Sequence, residues 1–135
     1  MLPAMSQEEK PVILVADDEV HILHVVSLKL RNAGYQVVTA QDGQEALSLC
    51  LQCRPALVIT DYQMPVMSGL TLCLKLAGQP ATAHIPALML TARGFALNDD
   101  DLRRTHIVDV LSKPFSPREL LGRVEQLIHK ATVES

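Results

Sequence analysis

Short runs rich in apolar and β-branched residues recur along this chain, and a stretch with helical spacing follows each of them. The first run is VILVA at residues 12 to 16, which is too short for a helix of usual length. A sheet with one face in water would show alternating apolar and polar residues, whereas continuous apolar runs are typical of parallel strands buried on both faces. The pattern therefore predicts a parallel sheet with helices on both sides.

Five such runs alternate with five helical stretches. The predicted strands are residues 12 to 16, 35 to 40, 57 to 60, 87 to 90 and 107 to 111. The predicted helices are residues 21 to 33, 43 to 53, 69 to 77, a short one at about 99 to 104, and 117 to about 130. Capping residues mark three helix starts: Asp42 with Glu45, Ser68, and Ser116 with Pro117. The alternation predicts a doubly wound α/β fold, a flavodoxin-like (βα)5 sandwich with strand order 2-1-3-4-5.

The length of 135 residues fits a single domain, which we place at residues 11 to 132 after a flexible N-terminal extension over residues 1 to 10. The formal charge of -3 and the pI near 5.9 provide no basic surface for nucleic acid, so direct nucleic-acid binding is not expected. No apolar run approaches the roughly 20 residues of a membrane span, and the N-terminal sequence lacks the order of a signal peptide. We therefore expect a cytoplasmic protein with no membrane partner.

The cysteines Cys50, Cys53 and Cys73 raise the question of a disulfide or a metal site. An odd number of cysteines without a secretion signal argues against a disulfide framework. One C-x-x-C could be half a zinc site or a redox pair, but no second Cys/His pair with zinc-finger spacing accompanies it. Cys50 and Cys53 share a helical stripe with Ala46, and Cys73 shares another with Leu70. We therefore expect small core residues and no metal bound at sulfur.

Polar side chains stand at the ends of four predicted strands. Asp17 and Asp18 follow the first strand, Asp61 the third, Thr91 the fourth and Lys113 the fifth. In a doubly wound sheet, ligands bind beyond the carboxyl ends of the strands where the strand order reverses. Clustered carboxylates repel one another unless a cation is present, and hard oxygen ligands suit Mg²⁺ better than zinc. The lysine and the hydroxyl add donors for a tetrahedral anionic group, so the pattern favours a phosphoryl site.

Four motifs carry a more specific signal. They are VADDE after strand one, DYQMPVMSG after strand three, LTAR at strand four and SKPFSP at strand five. A single aspartate after a strand is usually only a helix cap or a loop residue, but a convergent set at four strand ends is evidence of a site. In order and spacing, the motifs resemble the receiver domain of two-component response regulators, in particular the single-domain CheY-like type.

The resemblance implies a signalling phosphoacceptor, which catalyses only its own phosphoryl transfer and dephosphorylation. Asp61 would take a phosphoryl group from the phosphohistidine of a sensor histidine kinase or a histidine phosphotransfer protein. Thr91 and Lys113 would contact the phosphoryl oxygens, and the Lys113–Pro114 bond would be cis. Output would pass by contact to an unknown downstream protein.

The resemblance also implies a metal site for Mg²⁺. Its ligands would be Asp17, Asp18, Asp61 and the main-chain carbonyl of Gln63. No other cofactor is implied.

Alternatives from other classes share parts of this pattern. A flavodoxin-like cofactor protein needs a Gly/Ser/Thr-rich phosphate loop after strand one, where this chain has two carboxylates. A phosphatase with an aspartate nucleophile needs a second acid or base and a cap insertion, and the sequence has neither signal. A pseudo-receiver that binds partners without phosphorylation, and a receiver module of a larger hybrid kinase or phosphorelay protein, stay open.

Two positions depart from the family pattern. Val110 stands three positions before the lysine, where the family usually has an aromatic residue, and His106-Ile107 replaces a small pair. A β-branched side chain has a restricted χ1, so a rotamer switch at this position is not expected. We instead expect Thr91 and the loop over residues 92 to 96, with Gly94 as a hinge, to transmit phosphorylation to the fourth helix.

Overall fold

The fold is seen in a computed structural model, which describes residues 10 to 92 and 97 to 134. Five strands form one all-parallel sheet in the order β2-β1-β3-β4-β5: β1 (Val12–Ala16), β2 (Gln36–Ala40), β3 (Leu57–Asp61), β4 (Ala87–Thr91) and β5 (Ile107–Ser112). The helices between and after them are α1 (Val20–Asn32), α2 (Gly43–Cys53), α3 (Gly69–Ala77), α4 (Asp99–Arg103) and α5 (Pro117–Glu134). The predicted fold class and strand order are confirmed.

Three strands continue one residue beyond their predicted ends, to Asp61, Thr91 and Ser112. Main-chain pairing continues through these residues, with Asp61 opposite Leu90 and Thr91 opposite Ser112. The hydrogen bonds of a ladder use the main chain, so a polar side chain does not by itself end a strand. Asp61 and Thr91 are therefore held within the paired part of the sheet.

The helix starts follow the predicted caps. The Asp42 side chain accepts a hydrogen bond from the Glu45 N–H at 2.8 Å, and the Glu45 side chain accepts one from the Gln41 N–H at 2.8 Å. Ser116 accepts from the Glu119 N–H at 3.0 Å. These bonds satisfy main-chain donors that a helix start leaves free. At its other end, α5 extends past the predicted end near residue 130.

The core has two parts, one on each face of the sheet. Successive side chains of a strand point to opposite faces, so Ile13 and Val15 lie in one cluster and Leu14 and Ala16 in the other. The first cluster includes buried residues of α1 and α5, namely Leu23, Val26, Leu30, Leu120 and Val124. The second includes buried residues of α2 and α3, namely Ala46, Cys50, Leu72, Cys73 and Leu76. Helices therefore cover both faces, as continuous apolar strands require.

The cysteines lie where small core residues were expected. Cys50 and Cys73 are buried, and Cys53 is half-buried. Burial raises the pKa of the Cys50 and Cys73 thiols to about 12. Both thiols are therefore protonated at neutral pH and behave as small apolar groups.

Helix α4 is the least anchored of the described helices. It has no buried residue, and Leu102 is exposed. Its start is capped by Asn98, whose side chain accepts from the Asp101 N–H at 2.7 Å. The predicted short helix with a thin apolar face is thus confirmed. None of the helices in the described part of the chain combines the length and the apolarity needed to cross a membrane.

Ser27 is a buried polar residue in the middle of α1. The residue is only 3% exposed, and its hydroxyl has no hydrogen-bond partner within the described residues. An unsatisfied buried hydroxyl costs free energy, and alanine also has the higher helix propensity. We expect Ser27→Ala to raise the free energy of unfolding by about 1 kcal/mol.

Urea unfolding measures this change. Ser48→Ala on α2, where the serine is exposed, is the matched control and should gain only the difference in helix propensity, a few tenths of a kcal/mol. A loss of stability in Ser27→Ala would contradict the prediction.

Candidate acidic cleft at the carboxyl edge of the sheet

Asp17 directly follows β1 and is fully buried. Its N–H donates to the Ala40 carbonyl at 3.1 Å, which continues the β1–β2 pairing by one residue. Its carboxylate Oδ1 accepts from the Glu19 N–H at 2.9 Å. Main-chain bonds thus hold both the backbone and the side chain of Asp17 in place.

Asp61 is the last residue of β3, and its side chain is only 11% exposed. Gly69, at the start of α3, packs against the Asp61 main chain so closely that a Cβ there would collide with the Asp61 carbonyl oxygen. The Gly69 N–H also donates to the Tyr62 carbonyl at 2.8 Å. The β3–α3 loop therefore packs tightly against the aspartate and fixes the position of its main chain.

Lys113 follows β5 and joins these strand ends through its side chain. Its Nζ lies 3.0 Å from Asp17 Oδ2, 3.0 Å from Glu19 Oε1 and 3.2 Å from Asp61 Oδ1. Its N–H donates to the Thr91 carbonyl at 2.8 Å, so the backbone of β4 positions the start of the β5–α5 loop. The bond from Lys113 to Pro114 is cis, as the family resemblance implied.

The electrostatics of this cluster favour a cation. Burial, and then the negative charge of Asp17, raise the pKa of Asp61 to about 6, although Lys113 opposes the shift. Burial also raises the pKa of Asp17. Burial alone would lower the pKa of Lys113, but hydrogen bonds to Glu19 and Asp17 raise it above its usual value. Three carboxylates share one ammonium, so the cluster carries excess negative charge.

A cleft of about 340 Å³ opens in front of this cluster, and the residues that line it are Asp18, Glu19, Asp61, Tyr62, Gln63, Ala92 and Lys113. Asp18 and Gln63 are exposed. Thr91 is fully buried behind the cleft, and among the described residues its hydroxyl has no hydrogen-bond partner.

Glu19 is the residue that the sequence-based prediction missed. Oxygen atoms of Asp17, Glu19 and Asp61 lie within 4.8 Å of one another, whereas Asp18 is not part of this group. The signal was present in the motif VADDE, where a third carboxylate follows the predicted pair.

The family model described as response regulator receiver domain matches residues 13 to 125. The chain belongs to the response regulator receiver domain family. Receiver domains of known structure share its fold. CheY4 of Vibrio cholerae, a chemotaxis response regulator, is 34% identical with a TM-score of 0.79, covering 86% of this chain and 97% of CheY4.

Two further relatives differ in what accompanies the receiver domain. The receiver domain of the sensor histidine kinase PA1611 from Pseudomonas aeruginosa has a magnesium ion coordinated in its active site cleft; it is 25% identical with a TM-score of 0.78, covering 88% of this chain and 98% of that one. RpaA of Synechocystis, a DNA-binding transcriptional regulator, is 38% identical over 120 residues, covering 89% of this chain and 50% of RpaA. This chain spans about half the length of the curated relatives that it matches. The absence of direct nucleic-acid binding therefore stays a prediction.

The two positions that depart from the family pattern lie at β5: Val110 within the strand, and the pair His106-Ile107 at its start. Val110 is half-buried and packs against the second core cluster, and His106 is exposed just before the strand. The Val110 N–H donates to the Asp109 side chain at 2.8 Å, and Asp109 pairs with Arg123 of α5 at 2.9 Å. Residues 93 to 96, which include most of the loop expected to transmit phosphorylation, lie outside the described residues.

Val66, in the β3–α3 loop of the receiver domain, has a left-handed backbone with a φ of 70° and is 80% exposed. This conformation costs an L-residue roughly 1–2 kcal/mol, and asparagine tolerates it better than a β-branched residue does. We expect Val66→Asn to raise the free energy of unfolding by about 1 kcal/mol, measured by urea denaturation. Val108→Asn, at a 43% exposed position in extended β5, is the control and should not gain stability. A lower stability of Val66→Asn would contradict the prediction.

The raised pKa of Asp61 predicts a pH dependence of stability in the metal-free receiver domain. A pKa of about 6 in the folded state, against the ordinary value of 3.8, means that the folded state takes up the proton first as the pH falls. Stability should therefore rise as the pH is lowered from 7.5 to 5, by about 1 to 3 kcal/mol. The raised pKa of Asp17 acts in the same direction.

Chemical denaturation in EDTA across this pH range checks the sign of the slope. Asp61→Asn should flatten the slope, because the titrating group is gone. A wild-type stability that falls steadily from pH 7.5 to 5 would contradict the prediction.

Proposed function

We propose that this receiver domain is the phosphoacceptor of a two-component system. Asp61 would take the phosphoryl group from the phosphohistidine of a sensor histidine kinase or a histidine phosphotransfer protein. One oxygen of the Asp61 carboxylate attacks phosphorus, the P–N bond to the histidine breaks, and the histidine leaves with the electron pair. The observation that carries the proposal is a buried carboxylate at the end of β3, 3.2 Å from Lys113 and facing a cleft.

The chemistry of the cleft fits Mg²⁺. Its donors are hard carboxylate oxygens that carry excess negative charge, and none of the described residues that line it carries a thiol or an imidazole. The magnesium ion in the PA1611 receiver domain supports this assignment. We propose Asp17, Asp18, Asp61 and the Gln63 main-chain carbonyl as the residues that hold the ion. When bound, Mg²⁺ supplies positive charge beside the phosphoryl oxygens.

The residues of the chain itself do the remaining work by position and charge. Lys113 places an ammonium beside Asp61, where it stabilises the charge on the phosphoryl oxygens. The Thr91 hydroxyl is a buried donor with no hydrogen-bond partner in the described part of the chain, so an anionic oxygen within its reach would satisfy it. Catalysis in this proposal is limited to the transfer to Asp61 and the later hydrolysis of its acyl phosphate.

Intact-mass spectrometry with a small phosphodonor tests the proposal. In the presence of Mg²⁺, the protein should gain a single phosphoryl group, and EDTA should prevent the gain. A protein that stays unmodified with Mg²⁺ would instead be a pseudo-receiver, which binds partners without phosphorylation. Modification at the same rate in EDTA would contradict the metal site.

A receiver module within a longer protein is a second candidate, because this chain spans about half the length of the curated relatives that it matches. In the first candidate the signal passes by contact to a separate protein target, and in the second it passes to a domain of the same polypeptide. An immunoblot of the native protein in cell extract separates the two. A band at the 14.8 kDa of this chain supports the first candidate, and a larger band supports the second.

A further inference from the structure

The ammonium of Lys113 donates hydrogen bonds to Asp17 and Glu19, and it forms an ion pair with Asp61. It has three N–H groups, and it faces three carboxylate acceptors, Asp17, Glu19 and Asp61, at 3.0, 3.0 and 3.2 Å. A phosphoryl oxygen that binds Lys113 must therefore compete with carboxylate oxygens that the ammonium already contacts.

The three carboxylates differ in how easily they can turn away from Lys113. Asp17 is fully buried, and a main-chain N–H holds its carboxylate at 2.9 Å. Asp61 is the group that the phosphoryl group joins. Glu19 has a side chain that is 59% exposed, at the N-cap position of α1, so it can turn toward water at the smallest cost.

We propose that Glu19 competes with the phosphoryl group for Lys113. Glu19 is a positioning residue that holds Lys113 in the unphosphorylated state and lowers the stability of the phosphorylated one. This inference rests on the proposed function, since it concerns the same cleft. Glu19 is not one of the residues proposed there to hold Mg²⁺ or the phosphoryl group.

The proposal predicts two effects of opposite sign when Glu19 loses its charge. The Glu19 carboxylate adds negative charge to the acidic cluster, so it favours a cation and disfavours an anion. In Glu19→Gln, the affinity for Mg²⁺ should fall about two- to fivefold, because Lys113 is less neutralised. The affinity for beryllofluoride, a tetrahedral mimic of the phosphoryl group, should rise about two- to fivefold at saturating Mg²⁺. If Glu19 served only the folding of the protein, its substitution would not weaken the binding of Mg²⁺ and strengthen that of beryllofluoride.

The experiment measures both affinities in the wild type, Glu19→Gln, Glu19→Asp and Glu125→Gln. Titration calorimetry gives the Mg²⁺ affinity, and NMR shifts give the beryllofluoride affinity at saturating Mg²⁺. Glu125→Gln is the matched control with the same change in charge. Burial, and then the charge of Glu125, raise the pKa of Tyr35, which directly precedes β2. Tyr35 is therefore at the amino edge of the sheet, opposite the acidic cleft, and both affinities should stay at wild-type values in Glu125→Gln. Glu19→Asp retains the charge and should lie nearer to the wild type than Glu19→Gln does.

The outcomes separate this inference from the function on which it rests. A weaker affinity for Mg²⁺ together with a stronger affinity for beryllofluoride in Glu19→Gln supports the competition. If the wild type binds beryllofluoride while Glu19→Gln has wild-type affinities, or weaker affinities for both Mg²⁺ and beryllofluoride, the role of Glu19 is overturned and the proposed function stands. Wild-type protein that binds no beryllofluoride with Mg²⁺ overturns the proposed function, and this inference with it.

Discussion

Asp61→Asn is expected to abolish phosphorylation by a small phosphodonor and to make the metal-free protein more stable. The amide has nearly the same shape as the carboxylate but is not a nucleophile, so no acyl phosphate forms. The gain in stability follows from the site itself. Burial and the charge of Asp17 raise the pKa of Asp61 to about 6. The ionised carboxylate of Asp61 therefore destabilises the folded state at neutral pH. At pH 7.5 in EDTA, the free energy of unfolding should rise by about 1 to 3 kcal/mol.

The two readouts of this variant check different statements. Intact mass tests whether Asp61 is the acceptor, and urea unfolding tests whether its charge is unfavourable in the free protein. Asp100→Asn, which removes a carboxylate that is 58% exposed on α4, is the control for both. It should be phosphorylated as the wild type is, and its stability should change little. A phosphoryl adduct on Asp61→Asn would overturn the assignment of the acceptor.

Lys113→Ala is expected to destabilise the metal-free protein by about 2 to 4 kcal/mol at pH 7.5. Within the described residues, Lys113 is the cation that pairs with Asp17, which is fully buried, and with Asp61, whose side chain is 11% exposed. Removing it takes away the positive charge that these ion pairs give the two carboxylates, and breaking a buried pair from one side has a large effect. Mg²⁺ should restore more stability to this variant than it adds to the wild type, because the ion replaces the missing positive charge.

Urea unfolding with EDTA and with Mg²⁺ measures these effects. Lys75→Ala, at an exposed position on α3, is the control and should be close to the wild type in both conditions. Adding Asp17→Asn to Lys113→Ala should recover part of the lost stability, because one uncompensated charge is removed. If Lys113→Ala had wild-type stability in EDTA, the cluster would not depend on its ammonium as the distances indicate.

Much of this protein could be predicted from local sequence. The strands were visible because continuous apolar runs have to be buried on both faces, and the helix starts because Asp42, Ser68 and Ser116 satisfy donors within their own first turns. The location of the site followed from topology. In an all-parallel sheet, every strand ends at the same edge, so polar residues at the ends of β1, β3 and β5 were expected to meet there without any knowledge of distances.

The tertiary structure alone decided how the residues at that edge are arranged. Three consecutive carboxylates follow β1, and the backbone turn there buries Asp17, leaves Asp18 exposed and brings Glu19 to Lys113. Lys113 is 94 positions away from Glu19 along the chain, so no local pattern could have predicted this pair. The burial of the Thr91 hydroxyl and the left-handed backbone of Val66 likewise could not be predicted from the sequence. Local preferences determine which elements form, but which charges meet depends on the packing of chain segments that are distant in sequence.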